Sequence, residues 1–527
     1  MTFCKVYRSV SYADGTPDGR SRRMFLYCFP LAEKLMTRTV WHLPLYSAGL
    51  VMPAFAVLLA GCVTLPPVQP PLVGPGDAAQ WAHQVGVSEQ AALSQSPVPR
   101  QWWALFNDPT LTALEAEIEA NLDLQAASLR IEESRARLGL TEAARRPQLF
   151  TEAGYSRDAI SKNSGLHRLG QPTSGYDTWS LGLQASWELD FWGHLQNQEE
   201  SARANLDAAW YGQKAAQVSV AAEVARSYLL LRSAQAQLEL VTENLQIAAE
   251  LVRLADSRER NGVATRFDIA SARADAAGLQ ARYEELQHQS DALKNSLALL
   301  LGKPPHAFDR RVAVAELPPM PARLPIGIPS ELAQRRPDVL QAEARFRAAV
   351  ADIGAAKSDF YPRISLTGNL GVQAFNLSDL GSWGSRRYSV GPTLYLPIFD
   401  GGRLSSQLAL TETRHRLAGI AYQQTVLRAW HEVDNALSGY SSELRRHEQL
   451  ELALTQNRTA LEVAQRGYRQ GTADFTSVLM ARRSLLASQY ELNDCATASA
   501  LAVVALYRAL GGGWSSHLQD GVAGGRI

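Results

Sequence analysis

The sequence predicts a mixed α+β membrane protein built as a tandem repeat, in which each chain carries four strands and long helical hairpins. Three patterns lead to this prediction. Matching residues recur at one fixed spacing, long stretches without proline are rich in helix-forming residues, and short segments alternate apolar with small or polar residues. The first pattern indicates a duplication, the second indicates helices, and the third indicates strands with one apolar face.

The duplication is visible in glycines and in short identical pairs. Matches at an offset of 209 positions are Gly193 with Gly402, Gly262 with Gly471, Gly302 with Gly511, Leu195 with Leu404, Glu223-Val224 with Glu432-Val433, and Ala272-Arg273 with Ala481-Arg482. Because the whole set keeps one register, we divide the chain into repeat 1 (109–302) and repeat 2 (331–513). The segment 303–330 between them is dense in proline and is predicted to be a linker, and residues 514–527 form a C-terminal tail.

Each repeat is predicted to contain an antiparallel helical hairpin. Proline is absent from 173–303 and from 398–527. Residues 195–260 have the composition of one long helix, and Gly262 ends it before a second run that reaches Leu301. Apolar or small side chains spaced by four and three residues mark a heptad seam on this second run, at Ala272, Ala276, Leu279, Tyr283, Leu286, Leu293, Leu297 and Leu300.

Four segments are predicted to be strands. The clearest alternation runs over 179–189 and 364–372, with weaker versions at 148–155 and 388–398. Alternation over about ten residues with aromatic ends is typical of a transmembrane β-strand, and a half-buried soluble sheet is the alternative. Because transmembrane barrels begin at eight strands, four lipid-facing strands per chain would need other copies to satisfy their edges.

The composition and the motif content exclude several classes of protein. The 527 residues include 52 Lys and Arg against 52 Asp and Glu, and this neutral balance argues against a nucleic-acid-binding protein. A chain with 46% hydrophobic residues is not predominantly disordered. No hydrolase, phosphate-loop or dinucleotide motif occurs, and the four cysteines lack metal-site spacing, so we predict no enzyme activity, no metal site and no cofactor.

Residues 1–61 are predicted to be a signal peptide. The apolar run at 43–61 precedes Cys62, and a start at Met36 would give a signal of ordinary length, which assigns residues 1–35 to an upstream start codon. The Leu-Ala-Gly-Cys ending resembles a bacterial lipobox and implies cleavage before Cys62 and acylation of its thiol. A transmembrane anchor or an ordinary signal is the alternative. Residues 62–108 would then form a lipid-anchored arm, and the absence of an aspartate after the cysteine favours the outer membrane.

Several further motifs carry a family resemblance. They are Trp102-Trp103 with Phe106 and Asp108-Pro109, Arg335-Arg336-Pro337-Asp338-Val339, Ile353-Gly354, Tyr361-Pro362-Arg363-Ile364-Ser365-Leu366, Leu396-Pro397-Ile398-Phe399-Asp400-Gly401-Gly402-Arg403, and Leu510-Gly511-Gly512-Gly513-Trp514. They span nearly all of the mature chain, which resembles the TolC-like outer-membrane efflux proteins, most closely the lipoprotein branch serving resistance-nodulation-division pumps. The resemblance implies a homotrimer with a twelve-stranded β-barrel in outer-membrane lipid, continued by a periplasmic α-helical barrel.

The resemblance also implies partners and a function. The partners are a periplasmic adaptor (membrane fusion) protein and an inner-membrane pump, without nucleic acid. The implied function is that of a passive outer-membrane channel that exports drugs and toxic compounds. Type I protein secretion and metal efflux share this architecture and remain alternatives, as does a lipid-tethered coiled-coil scaffold without a pore.

The hairpin tips are the predicted functional residues. The resemblance implies that four tip residues contact the adaptor, namely Gly262, Val263, Gly471 and Thr472. It also implies a latch between Asp268 and Tyr468 that holds a periplasmic gate closed, whereas the alternative is that these two side chains are solvated or cap the helix.

The second tip departs from the family pattern. Two positions that carry acidic residues in many relatives are Ser477 and Met480 in this chain. The predicted gate therefore includes Asp474, Thr476 and Met480, and its constriction is expected to be more apolar than in those relatives.

Overall fold

The computed structural model describes residues 93–94, 96–171, 173–309, 312–321, 323–327 and 335–514. The predicted signal peptide, Cys62, and most of the predicted arm and tail lie outside these residues. No helix in the described ranges combines the length and the apolar character needed to cross a bilayer.

Eight α-helices and six strands lie entirely within the described residues, together with short 3-10 helices. The helices are α1 (Pro109–Glu115), α2 (Leu122–Ala144), α3 (Gly165–Arg168), α4 (His194–Arg260), α5 (Arg266–Leu300), α6 (Pro337–Ser358), α7 (Arg403–Gln470) and α8 (Phe475–Ala509). The strands are β1 (Leu93–Ser94), β2 (Gln148–Asp158), β3 (Tyr176–Leu189), β4 (Leu324–Pro325), β5 (Arg363–Ala374) and β6 (Arg386–Tyr395).

The predicted tandem repeat is confirmed by helices that match in length and position. Helices α4 and α7 have 67 and 68 residues, and α5 and α8 have 35 residues each. The repeated glycines at the ends of these helices all have positive φ, with values of 74° and 91° at Gly193 and Gly402, 72° and 78° at Gly262 and Gly471, and 63° and 70° at Gly302 and Gly511. Glycine adopts this left-handed conformation without steric cost, which explains why glycine recurs at these junctions.

The four predicted strands form one antiparallel sheet in the order β2-β3-β5-β6. Strands β2 and β3 are longer than the alternation predicted, since β2 continues to Asp158 and β3 begins at Tyr176. Strand β6 instead begins at Arg386 and ends at Tyr395, three residues before the predicted end. The extension is held by Arg157 and Asp177, which are paired across the two strands with Nη1 and Oδ1 3.0 Å apart. A separate parallel pair joins β1 to β4.

The helices that flank the sheet follow the order of its strands. Helix α2 precedes β2, α4 follows β3, α6 precedes β5, and α7 follows β6. Helix α2 packs on α4, α4 packs on α6, and α6 packs on α7. In the described chain, the outermost helices of this layer are therefore α2 and α7, next to the edge strands β2 and β6.

The main core joins the N-terminal segment to helices of both repeats. Trp102 stacks on Tyr507 of α8 with the ring centroids 5.5 Å apart. Phe308 and Leu324, from the segment predicted to be a linker, are both buried in this core. Apart from the short strand β4, the described part of this proline-rich segment has no helix or strand, and its apolar side chains pack it into the core.

A buried polar network fastens the N-terminal segment to α4. The Asp108 carboxylate caps α1 by accepting hydrogen bonds from Thr110 N at 2.7 Å and Leu111 N at 3.1 Å. The Tyr228 hydroxyl donates to the same carboxylate at 2.5 Å and accepts from Arg232 Nε at 2.8 Å. Burial, with the neighbouring Asp108, raises the pKa of Tyr228 to about 12. The phenol therefore stays protonated and remains a donor at neutral pH.

Candidate gate at the hairpin tips

The first tip is a tight turn between α4 and α5. Gly262 has φ 72° and its N–H donates to Glu259 O at 2.7 Å, while Val263 N donates to Arg258 O at 2.8 Å. These bonds satisfy carbonyls at the end of α4, as in other helices that end on a left-handed glycine. The Val263 side chain is exposed at the turn, as expected for a residue available to a partner.

Asp268 caps its own helix. The Thr265 hydroxyl accepts from Asp268 N at 3.2 Å, and the Asp268 carboxylate accepts from Thr265 N at 2.9 Å and from the Thr265 hydroxyl at 2.8 Å. This reciprocal pair is a capping box. Both bonds to the carboxylate use Oδ2.

The second tip also has a left-handed glycine followed by a helix N-cap, but the acidic residue and the hydroxyl residue of that cap have exchanged positions. Gly471 has φ 78°, and Thr472 N donates to Gly467 O at 2.9 Å. Asp474 is the N-cap of α8, and its carboxylate accepts hydrogen bonds from the backbone N–H and the hydroxyl of Ser477. These bonds lower the pKa of Asp474, so it is ionised at neutral pH and complements the positive end of the helix dipole. The acid and the hydroxyl thus stand in reversed order at the two tips.

A small apolar cluster joins the two tips within one chain. Its members from both hairpins are Ala255, Ile269, Ala272, Phe475 and Leu479, with Tyr468 packed against them. The Tyr468 ring lies 5.8 Å from the Phe475 ring, and the Arg258 guanidinium carbon lies 4.6 Å from the Tyr468 centroid. Such a cation–π contact contributes roughly 0.5–2 kcal/mol.

The predicted gate residues are therefore placed on neighbouring elements but in different surroundings. In the described chain, Asp268 is bonded to Thr265 and the Tyr468 ring faces Arg258, so these two side chains are not joined to each other. Thr476 is half-buried and Met480 is exposed on α8.

Sequence reasoning missed three arginines near the tips. Besides Arg258, the pair at 482–483 connects α8 to both helices of the first hairpin. Arg482 Nη2 donates to Asn244 on α4 at 3.0 Å, and Arg483 Nε lies 2.6 Å from the Asp275 carboxylate on α5. The match of Ala272-Arg273 with Ala481-Arg482 is the one sequence signal that pointed to this region.

The sheet at the other end of the hairpins has one apolar and one polar face. Side chains that pair across β3 and β5 on the apolar face are Leu181 with Val372, Leu183 with Leu370, and Trp187 with Leu366. Leu370 is 61% exposed, and exposed apolar residues alternating with polar ones are typical of a strand that faces lipid. The opposite face carries polar and small residues, among them Glu152, Gln184, Ser186, Thr367 and Asn369.

Comparison with known proteins identifies the family. The family described as outer membrane efflux protein matches residues 113–303 and 328–512. The chain belongs to the outer membrane efflux protein family. It is 33% identical to outer membrane protein OprJ of Pseudomonas aeruginosa over 461 residues, which cover 87% of this chain and 94% of OprJ. It is 30% identical to cation efflux system protein CusC of Escherichia coli over 465 residues, which cover 87% and 97% of the two chains.

Solved structures agree with this assignment. The outer-membrane channel OprN superimposes with a TM-score of 0.79 at 31% identity, covering 86% of this chain and 100% of OprN. The outer membrane protein VceC of Vibrio cholerae gives a TM-score of 0.74 at 29% identity, covering 80% and 100%. The predicted fold class and family are thereby confirmed. This efflux protein is an outer-membrane channel component that extends into the periplasm.

Proposed function

We propose that three copies of this efflux protein form a passive exit duct for small molecules, working with a periplasmic adaptor and an inner-membrane pump. The observation that carries the proposal is the open sheet, because its apolar face is exposed and its order ends at β2 and β6 in the described chain. Unpaired backbone groups are too costly to leave in hydrocarbon, so each edge must pair with another copy. Three copies supply twelve strands, and the count of three rests on the resemblance to TolC-like channels.

The outermost helices support closure between copies. If β6 of one copy pairs with β2 of the next, α7 of the first copy is brought beside α2 of the second. Exposed apolar residues lie along one side of each helix, namely Leu410, Leu417, Ile420 and Leu427 on α7, and Leu122, Leu129 and Leu140 on α2. Their spacing by multiples of about three and a half residues is that of a helix-packing seam. The β2–α2 side and the β6–α7 side of the chain are therefore both available to pair with another copy, in the sheet and in the helical layer.

The mass and the conductance of the purified protein test this function. Light scattering on detergent-extracted protein, with the detergent contribution subtracted, is expected to give about three times the mass of the mature chain, and the same sample is expected to conduct ions across planar lipid bilayers. A folded monomer would leave the strand edges open and would overturn the proposal. A trimer that does not conduct would favour the scaffold without a pore.

We infer that the substrate is set elsewhere in the pump. Relatives named for pyoverdine export, toluene efflux and cation efflux each match this chain at 30% identity, so similarity does not favour one cargo among them. Export of drugs and toxic compounds remains our preferred proposal, with metal efflux and protein secretion as alternatives. In this scheme the chain has no catalytic role and needs no cofactor, since it only conducts.

We propose that the tips form the gate and the adaptor contact. The turn residues Gly262, Val263, Gly471 and Thr472 would meet the adaptor, because they are exposed in the described chain and end both hairpins. The gate would be formed by Asp268, Tyr468, Asp474, Thr476 and Met480. Repetition in three copies would place each of these side chains in a ring, which makes conductance sensitive to a single substitution.

We propose that Cys62 is acylated and anchors the N-terminal arm. The lipobox-like Leu-Ala-Gly-Cys sequence supports this, since two or more acyl chains hold a protein on a membrane surface. The Cys62→Ser variant is expected to lose all incorporation of labelled palmitate during growth. The wild-type protein labelled in parallel is the control, and palmitate that persists on the variant would remove Cys62 as the lipid site.

A further inference from the structure

The two hairpins carry equivalent arginines that form different contacts. Arg273 on α5 and Arg482 on α8 are related by the repeat offset, since 273 + 209 = 482. Arg273 is exposed and pairs with Asp256 of its own hairpin, with Nη2 and Oδ1 3.1 Å apart. Arg482 is only 9% exposed and reaches out of its hairpin to Asn244 of α4, with Nη2 and Oδ1 3.0 Å apart. One arginine therefore stabilises a hairpin, and its counterpart joins the two hairpins.

The sequence explains why the two equivalent arginines contact different helices. The position equivalent to Asp256 in the second repeat is Gln465, since 256 + 209 = 465, so α7 offers no carboxylate there. Arg482 contacts a neutral amide instead. Asn244 is itself buried and is held in place because its Nδ2 donates to Leu240 O at 2.7 Å.

The contact is weak for a buried cation. Burial lowers the pKa of Arg482, and the negative charges of Asp275, Glu243 and Glu250 oppose that effect from a distance. A buried charge is compensated well only by a directly paired opposite charge with full hydrogen bonding. Moving the second hairpin away from the first would return the guanidinium to water, so the Arg482–Asn244 contact is easier to break than a buried ion pair would be. The neighbouring Arg483–Asp275 ion pair also joins the two hairpins and must break in the same movement.

We propose that Arg482 is a positioning residue of the gate, whose contact with neutral Asn244 holds the two hairpins together in the closed arrangement and lets them separate when the channel opens. The inference rests on the proposed channel function. Asn244 has nearly the shape of aspartate, so a single isosteric change converts the neutral contact into a buried ion pair.

The test uses single-channel recording in planar bilayers. Asn244→Asp is expected to lower the fraction of time that the channel spends open by about tenfold, because the new ion pair stabilises the closed arrangement. A tenfold change corresponds to roughly 1.4 kcal/mol. Arg482→Gln is expected to raise that fraction by a smaller factor, because the hydrogen bond from the guanidinium to Asn244 is lost while the Arg483–Asp275 ion pair remains. The double variant, Asn244→Asp with Arg482→Gln, is expected to lose the closing effect of the first change. Arg273→Gln is the matched control, and we expect it to gate as the wild type does.

The outcomes separate this inference from the function on which it rests. A wild-type protein that is not trimeric or does not conduct overturns the proposed function. In a conducting trimer, Asn244→Asp gating like the wild type or opening more often overturns the role of Arg482, as does an Arg482→Gln variant with unchanged gating. The mass of each variant is measured first. Should Asn244→Asp fail to assemble, Arg482→Gln against Arg273→Gln still decides the question.

Discussion

Replacing Leu417 with aspartate is expected to abolish the assembled channel. Leu417 is 60% exposed in the single chain and lies in the apolar stripe of α7 that we place against α2 of the next copy. Burying a leucine there contributes about 1.5–3 kcal/mol, and burying an unpaired carboxylate in its place costs several kcal/mol more. Symmetry repeats the loss at all three interfaces. Light scattering is expected to give the mass of a single chain, and bilayer conductance is expected to vanish.

Two further variants and a circular dichroism measurement make this result specific to the interface. Leu417→Met preserves the apolar volume and is expected to remain trimeric. Leu129→Asp changes the opposite stripe on α2 and is expected to lose the trimer as Leu417→Asp does. Because Leu417 is largely exposed within the chain, the helical circular dichroism of the aspartate variant should remain near that of the wild type. A stable trimer of Leu417→Asp would show that α7 faces solvent rather than another copy.

The features that sequence predicted correctly depend on local chemistry. Gly193, Gly262 and Gly302 mark helix ends because each position requires positive φ, and this requirement is visible wherever glycine recurs in register. The absence of proline allows α4 and α7 to run without interruption, and the period-two alternation follows directly from strand geometry. Each of these signals is carried by residues close together in the sequence.

The features that sequence did not predict depend on contacts between distant segments. Nothing local distinguishes Arg482 from Arg273, since only the folded chain shows that one turns toward Asn244 and the other toward Asp256. The burial of Phe308 likewise requires the main core to exist before the proline-rich segment can pack on it. The sequence alone does not decide the role of Asp268, because an acidic residue three positions after a threonine fits a capping box as well as a latch.

Changing Asp268 to alanine together with Tyr468 to phenylalanine is expected to raise the mean conductance of the purified channel by about tenfold or more. The Asp268 carboxylate uses Oδ2 for its bonds to Thr265, so Oδ1 is the oxygen that the latch would use. A hydrogen bond from a phenol to a carboxylate contributes roughly 1.5–3 kcal/mol, and each 1.4 kcal/mol changes the open population about tenfold. The latch is repeated in three copies, so its loss should be clear in single-channel recordings.

Removal of Asp268 also weakens the start of α5, and the controls must separate these effects. Thr265→Ala removes the capping hydroxyl at a cost of about 1 kcal/mol but keeps the carboxylate, so we expect conductance close to that of the wild type. Tyr468→Phe keeps the ring over Arg258 and removes only the hydroxyl, so we expect a conductance between the wild type and the double variant. Should Thr265→Ala raise conductance as much as the double variant, fraying of α5 would explain the opening. Asp268 would then be a helix cap and not a latch.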